Sequence, residues 1–279
     1  MDPRRLRRMP IHSSLLSSPV LWAWAMNGGP VGRPRKAEDV SNPKGLSPRE
    51  MPKTRAEAFA EAAALNGSID ERLAAYAENA KRLRPDIHDA YMRLVTRLEA
   101  LRLAEIGPKA GEPMPDFILP DQQGRLVTLE SLCRNGPVVV SFNRGHWCPY
   151  CQLELRALAA ANDDVRRLGG QIISIVPERA QFSKRLAADN SLPFTILSDV
   201  DLSYALSLGL VYWVGAEIKA IYDAVGIDLA NYHGNGNYFL PVAATFVAGP
   251  GGTVVDRHVD HDYRHRMHID RMLAAVGRQ

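Results

Sequence analysis

Apolar residues recur along this chain with two different spacings, and each spacing predicts a different element. From Arg55 the repeat is helical. Ser68-Ile69-Asp70-Glu71 has the spacing of a capping box, and Leu73, Tyr76, Ala80 and Leu83 follow on one face until Pro85 stops the helix. Ile87, Tyr91, Leu94, Leu98 and Leu101 mark a second helix, which ends before Gly107-Pro108. Past Gly111 the repeat shortens. Phe117-Ile118-Leu119 and Leu126-Val127-Thr128-Leu129 flank Asp121-Gln122-Gln123-Gly124, a pattern that predicts a β-hairpin. Residues 129–134 predict a short helix or turn. Residues 138–142 form a run dense enough in Val and Phe for a buried strand, and Leu153, Leu155, Leu158, Val165 and Leu168 then return to helical spacing. Strands are predicted at 171–176, 194–197, 242–247 and 253–259, with helices at 177–190, 201–208 and 267–276. Residues 210–240 fit neither period. They hold Tyr212, Trp213, Tyr222, Tyr232, Tyr238, Phe239 and Gly234-Asn235-Gly236-Asn237, and read as a helix plus a long surface loop. The series predicts an α/β domain with a parallel core and an antiparallel pair at its end.

Residues 1–50 show no period. Pro, Gly, Ser and Arg recur there, which predicts a disordered extension. Arg4 to Arg8, the apolar stretch from Leu15 to Met26 and Ala23-Trp24-Ala25 have the outline of a signal peptide. Ser17, Ser18 and Pro19 break that stretch, and it is too short to cross a membrane. The composition changes at Met51, an alternative point for translation to begin. The chain therefore divides into an extension (1–50), a helical preface (51–106) and a main domain (107–279). The preface's apolar stripes are free to pack on the main domain or, in a homodimer, on a second subunit.

Charge adds little. The chain carries 34 basic and 31 acidic residues, too even a balance to name a nucleic-acid or membrane partner. Three cysteines make no disulfide framework, and a close pair among so few points to redox chemistry in a reducing, cytoplasmic compartment. Cys133, after Leu132 and with no cysteine near it, reads as a packing residue.

The pair is Cys148 and Cys151, in Arg144-Gly145-His146-Trp147-Cys148-Pro149-Tyr150-Cys151. It lies where the 138–142 strand ends and the next helix begins. A helix start carries unpaired N–H groups and the positive end of the dipole, so Cys148 is expected to be a reachable thiolate with a lowered pKa. Pro149 suits the first helical position. Cys151 follows one turn later, close enough to attack an oxidised Cys148, and Arg144 adds positive charge. His146 is placed to tune the thiol or take its proton. Trp147 alone reads as core packing. Half of a zinc site is the competing reading of Cys-x-x-Cys, but no second cysteine pair supplies it. His258, His261, His265 and His268 crowd the C-terminal stretch with Asp256, Asp260 and Asp262, in a spacing that matches no metal motif and reads as a solvated polar loop.

The strand, Trp-Cys-x-x-Cys and helix resemble the thioredoxin fold. The Gly111-Glu112-Pro113-Met114-Pro115-Asp116-Phe117 opening resembles that of the alkyl hydroperoxide reductase/thiol-specific antioxidant family, the peroxiredoxin-like redoxins. The cysteine run, Leu240 to Val247 and Asp262-Tyr263-Arg264 resemble a branch with an Arg-Gly-x-Trp-Cys-Pro-x-Cys signature. The resemblance implies a thioredoxin-like α/β fold with a helical N-terminal preface. It also implies a thiol peroxidase with Cys148 as peroxidatic and Cys151 as resolving cysteine, Arg144, His146, Trp147 and Pro149 in support, and no metal or organic cofactor. A peroxide is then the substrate, and thioredoxin or glutathione with glutaredoxin the reductant. Two departures stand out: Ser141 and Gly145 take the places of the Pro and the Thr/Ser of Pro-x-x-x-Thr/Ser-x-x-Cys, so the peroxide-holding hydroxyl is missing. Ala243 stands where thioredoxin-like proteins place a proline. The alternatives are a thioredoxin- or glutaredoxin-like disulfide oxidoreductase and a non-catalytic scaffold.

Overall fold

The computed structural model describes residues 52–279; the readings on the extension, the signal-peptide outline and Met51 lie outside the described residues. Three helices come first: α1 (Arg55–Ala64), α2 (Ile69–Leu83) and α3 (Pro85–Ala100). Ser68 caps α2 through the expected box. Its hydroxyl accepts from the Glu71 N–H, and the Glu71 carboxylate accepts from the Ser68 N–H, a start of a kind that contributes about 1 kcal/mol. Pro85 ends α2 and also opens α3, because the first helical position needs no N–H. Next come β1 (Ile118–Pro120), β2 (Leu126–Thr128), α4 (Leu129–Cys133), β3 (Val138–Phe142), α5 (Pro149–Ala160), α6 (Asn162–Arg167), β4 (Gln171–Val176), α7 (Ala180–Asp189), β5 (Thr195–Ser198) and α8 (Ser203–Ser207). The chain closes with β6 (Val211–Trp213), α9 (Ala216–Val225), α10 (Leu229–His233), β7 (Phe239–Pro241), β8 (Ala244–Ala248), β9 (Val254–Val259) and α11 (Ile269–Val276).

β1 and β2 form the expected antiparallel hairpin. The main sheet has the order β5-β4-β3-β8-β9. β3, β4 and β5 run parallel, and β8 and β9 pair antiparallel to their neighbours. With helices on both faces this is the thioredoxin-like arrangement. Alternation along the strands assigns each face. Val138, Val140, Phe142, Ile173, Ile175 and Phe246 pack toward α3, α8 and α9, while Val139, Ile172, Val176 and Val247 pack toward α5, α7 and α11. On the second face the register aligns Ser141 with Ser174 on one side and with Thr245 on the other, a polar row across three buried strands. Cys133 is buried in the first cluster, as a packing residue should be.

Residues 210–240 are not a helix with a long surface loop. β6 and β7 pair antiparallel, α9 and α10 lie between them, and Tyr212, Tyr222, Leu229 and Tyr238 are buried in the main core. The aromatics are spaced to suit contacts with α3 and the motif loop rather than any single local period. The preface also packs in a way its pattern did not specify. Leu73 and Tyr76 of α2 lie on the start of α5, and Tyr76 meets Tyr150 edge-on at 5.0 Å between ring centroids.

Candidate active site

Cys148 is the N-cap of α5. Its backbone is extended, at φ −96° and ψ 110°, and its sulfur accepts the Cys151 N–H at 3.4 Å. Pro149 fills the next position. The side chain of Arg144 turns back so that Nη2 donates to Cys148 Sγ at 3.1 Å, and the Arg144 backbone N–H donates to Cys151 Sγ at 3.3 Å. The Arg144 guanidinium lies flat on Tyr263, 3.7 Å from the ring centroid, and 5.3 Å from that of Trp147. Trp147 in turn meets Tyr222 at 5.2 Å. Tyr222 of α9 thus closes one side of the motif.

A second arginine reaches the site from the far end of the chain. Arg266, 3% exposed, donates through Nη2 to Cys151 Sγ at 3.6 Å and through Nη1 to Glu154 at 2.7 Å. The other oxygen of Glu154 accepts from Ser141 at 3.2 Å and Thr245 at 3.3 Å, while Asn143 bridges Ser141 and Ser174. The polar row across the sheet therefore holds Glu154, Glu154 holds Arg266, and Arg266 holds the second sulfur. Ser141, in the family's proline position, is a member of this network. Sequence reading missed Glu154, although Cys151, Glu154, Leu155 and Leu158 share one helix face, so a charge on that buried face was a visible signal. Arg266 carried no such signal.

One expectation fails. Cys148 is not open to solvent: both sulfurs are 0% exposed, because α1 and α2 cover this end of α5. The ionisation expected of Cys148 alone belongs to the pair. Burial pushes both thiols up. The charges of Arg266 and Arg144 pull both back; with the neighbouring sulfur, they hold Cys151 well below the ordinary thiol range, while burial and the same neighbour keep Cys148 well above it. The two thiols therefore titrate as a pair.

His146 serves the loop rather than the sulfurs. Its ring bonds Asp189 at 2.8 Å, its carbonyl accepts from Gln152, and its N–H is held by both oxygens of Glu178 at 3.0 Å. Burial, partly offset by Asp189, holds the ring's pKa below the usual range. The missing hydroxyl at Gly145 has a steric cause. Gly145 has φ +124°, and a β-carbon there would lie 2.4 Å from a Glu178 oxygen. No Thr or Ser fits while Glu178 is in place. Ala243, in the position of the family's proline, packs in the same cluster as both cysteines. His265 and His268 pair with Asp260 and Asp70 at 3.0 and 2.9 Å, and among the described residues no three metal-ligating side chains converge.

Burial raises the Glu178 carboxyl to about 8; the His146 N–H pulls it down and the charge of Cys151 pushes it up. A group held protonated by folding favours the folded state fully below its unfolded pKa. That stability is lost as pH rises from about 4 toward about 8, where the unfolded chain binds fewer protons. Glu178→Gln removes this slope. Thermal melts are expected to show the variant gaining on the parent between about pH 5 and about pH 8. Parallel curves would show that Glu178 ionises normally.

Residues 110–257 match the AhpC/TSA family, just over half of the chain. Peroxiredoxin Q of the chloroplast of Sedum lineare is 33% identical over 89 residues, 32% of this chain and 47% of that protein. Peroxiredoxin Bcp of Escherichia coli (strain K12) is 32% identical over 93 residues, 33% of this chain and 59% of that protein. The chain thus spans about half the length of the curated relatives it matches. Among solved structures, peroxidoxin BcpB from Mycobacterium tuberculosis superposes with a TM-score of 0.48 at 21% identity, covering 61% of this chain and 96% of that one.

Proposed function

The chain belongs to the AhpC/TSA family, and from that premise we propose that it is a thiol-dependent peroxidase cycling through Cys148 and Cys151. The observation that carries the reading is the dithiol at the start of α5, each sulfur held by a backbone N–H and a buried guanidinium. Cys148 is the attacking sulfur because its neighbours Arg144, Trp147, Pro149 and Tyr150 line the cavity from which a peroxide arrives. Cys151 takes the Cys148 proton, leaving Cys148 as a thiolate stabilised by Arg144 and the Cys151 N–H. That thiolate attacks one peroxide oxygen. The O–O bond breaks, the sulfur becomes a sulfenic acid, and the departing oxygen takes a proton from water to leave as alcohol or water. The Cys151 sulfur then attacks the sulfenic sulfur, a disulfide forms and water departs. An external dithiol, thioredoxin or glutathione with glutaredoxin, returns both thiols by exchange. The scarcity of cysteines supports a reducing, cytoplasmic setting.

The test is peptide mass mapping after one equivalent of hydrogen peroxide, run with stopped-flow consumption. A Cys148–Cys151 disulfide, formed as fast as peroxide disappears, is expected. Consumption no faster than by free cysteine would refute the peroxidase reading and leave disulfide exchange as the chemistry of the pair.

A further inference from the structure

The helical preface lies outside the family match, yet it completes a cavity of about 690 Å³ over the motif, in the size range that holds a drug-sized molecule. One wall is aromatic and apolar: Phe59, Tyr76, Tyr91, Ile87, Trp147 and Tyr263. At its inner end Arg144 is 2% exposed. Nη2 is spent on Cys148, while Nε and Nη1 find no well-aligned hydrogen-bond partner. The Tyr212 hydroxyl lies beside the guanidinium as an acceptor, and water can serve the donor that remains.

The charges around the cavity are unequal. Arg84 pairs with Asp86 and Arg264 with Asp262. Arg55 and Lys81 have no ion-pair partner among the described residues, and the carboxylate facing them, Glu57, already accepts the Lys53 N–H. Arg55 lines the cavity together with Tyr76 and Tyr91. Two cations without ion-pair partners at an aromatic cavity describe a ligand with an anionic head and an apolar body.

We propose that this cavity binds a small carboxylate-bearing apolar molecule, its carboxylate against Arg55 and Lys81 and its body along the aromatic wall toward Arg144. The occupant stands between solvent and Cys148, so its binding governs access to the sulfur. The chain's own extension is poorly suited to the place, since Arg4, Arg5, Arg7 and Arg8 repeat the charge of Arg55 and Lys81. The proposal goes beyond the peroxidase reading and does not need it, because the site is defined without a reaction.

The probe is decanoate, with 1-decanol as its uncharged counterpart, titrated calorimetrically into the full reduced chain. One decanoate per chain, bound at least ten-fold more tightly than 1-decanol, is expected. Saturating decanoate is expected to slow iodoacetamide alkylation of Cys148 by ten-fold or more, followed by peptide mass. Ala80→Trp fills the cavity and abolishes binding in a protein whose circular dichroism is unchanged. Arg55→Gln with Lys81→Gln, two substitutions outside the packed core, brings decanoate to the affinity of 1-decanol. Equal affinity for the two probes overturns the proposal. So does undiminished binding to the Ala80→Trp variant, binding without protection of Cys148, or no binding to the full chain. These outcomes are separate from peroxide consumption, so either reading can fail alone.

Discussion

Cys148→Ser is expected to lower the rate of peroxide consumption by about 10³-fold or more, the scale on which enzymes lose turnover with their nucleophile. Serine keeps the N-cap and its bond from the Cys151 N–H, so the helix start survives. What goes is the sulfur that Arg144 holds. The contrasting variant is Cys151→Ser. It retains the attacking sulfur but has no thiol to condense with, so one equivalent of peroxide is expected to leave a sulfenic acid on Cys148 that dimedone traps. Should Cys148→Ser form the trapped adduct on Cys151 at the parent's rate, the two roles are reversed. That outcome is physically meaningful here, because Arg266 and the Arg144 N–H both donate to Cys151 and pull its thiol down.

Arg266→Met is expected to cost about 3–5 kcal/mol of stability, read as a shift in the urea midpoint, because it strands a buried carboxylate. Arg266 and Glu154 are 3% and 4% exposed and joined at 2.7 Å. Burial raises the Glu154 carboxyl and the charge of Arg266 pulls it back, so without the arginine the carboxylate must protonate or unfold the site. Adding Glu154→Gln to Arg266→Met removes the stranded charge and is expected to recover most of the loss. A double variant as unstable as the sum of the single ones would mean the two residues act independently. The same substitution removes one of two cations beside Cys151. Thiolate absorbance near 240 nm is therefore expected to rise at a higher pH than in the parent.

The parts of this molecule that local physics controls were readable from residues. The capping box at Ser68, the hairpin about Asp121 to Gly124, the buried, valine-rich β3 and the helix opening at Pro149 each follow from a short window. What escaped was set by partners distant in sequence. Tyr222 is buried because Tyr91 of α3 and Trp147 of the motif loop meet it, and nothing in its own spacing says so. The preface announced amphipathic helices but not the surface they cover, and that surface is the thiol site. Arg266 stands 115 residues from Cys151, and only the fold brings them together. Glu154 lay between, since its helix position was suggestive while its partners Ser141, Thr245 and Arg266 were not.

The contact between Gly145 and Glu178 ties two distant positions into one steric unit. In this chain, a glycine at the first permits a long acid at the second. A homologue that regains a hydroxyl at the first must shorten or displace the second, and with it the carboxylate that fixes the loop through His146. The two positions should therefore change together or not at all, so an alignment of the branch is a direct check on the packing described here.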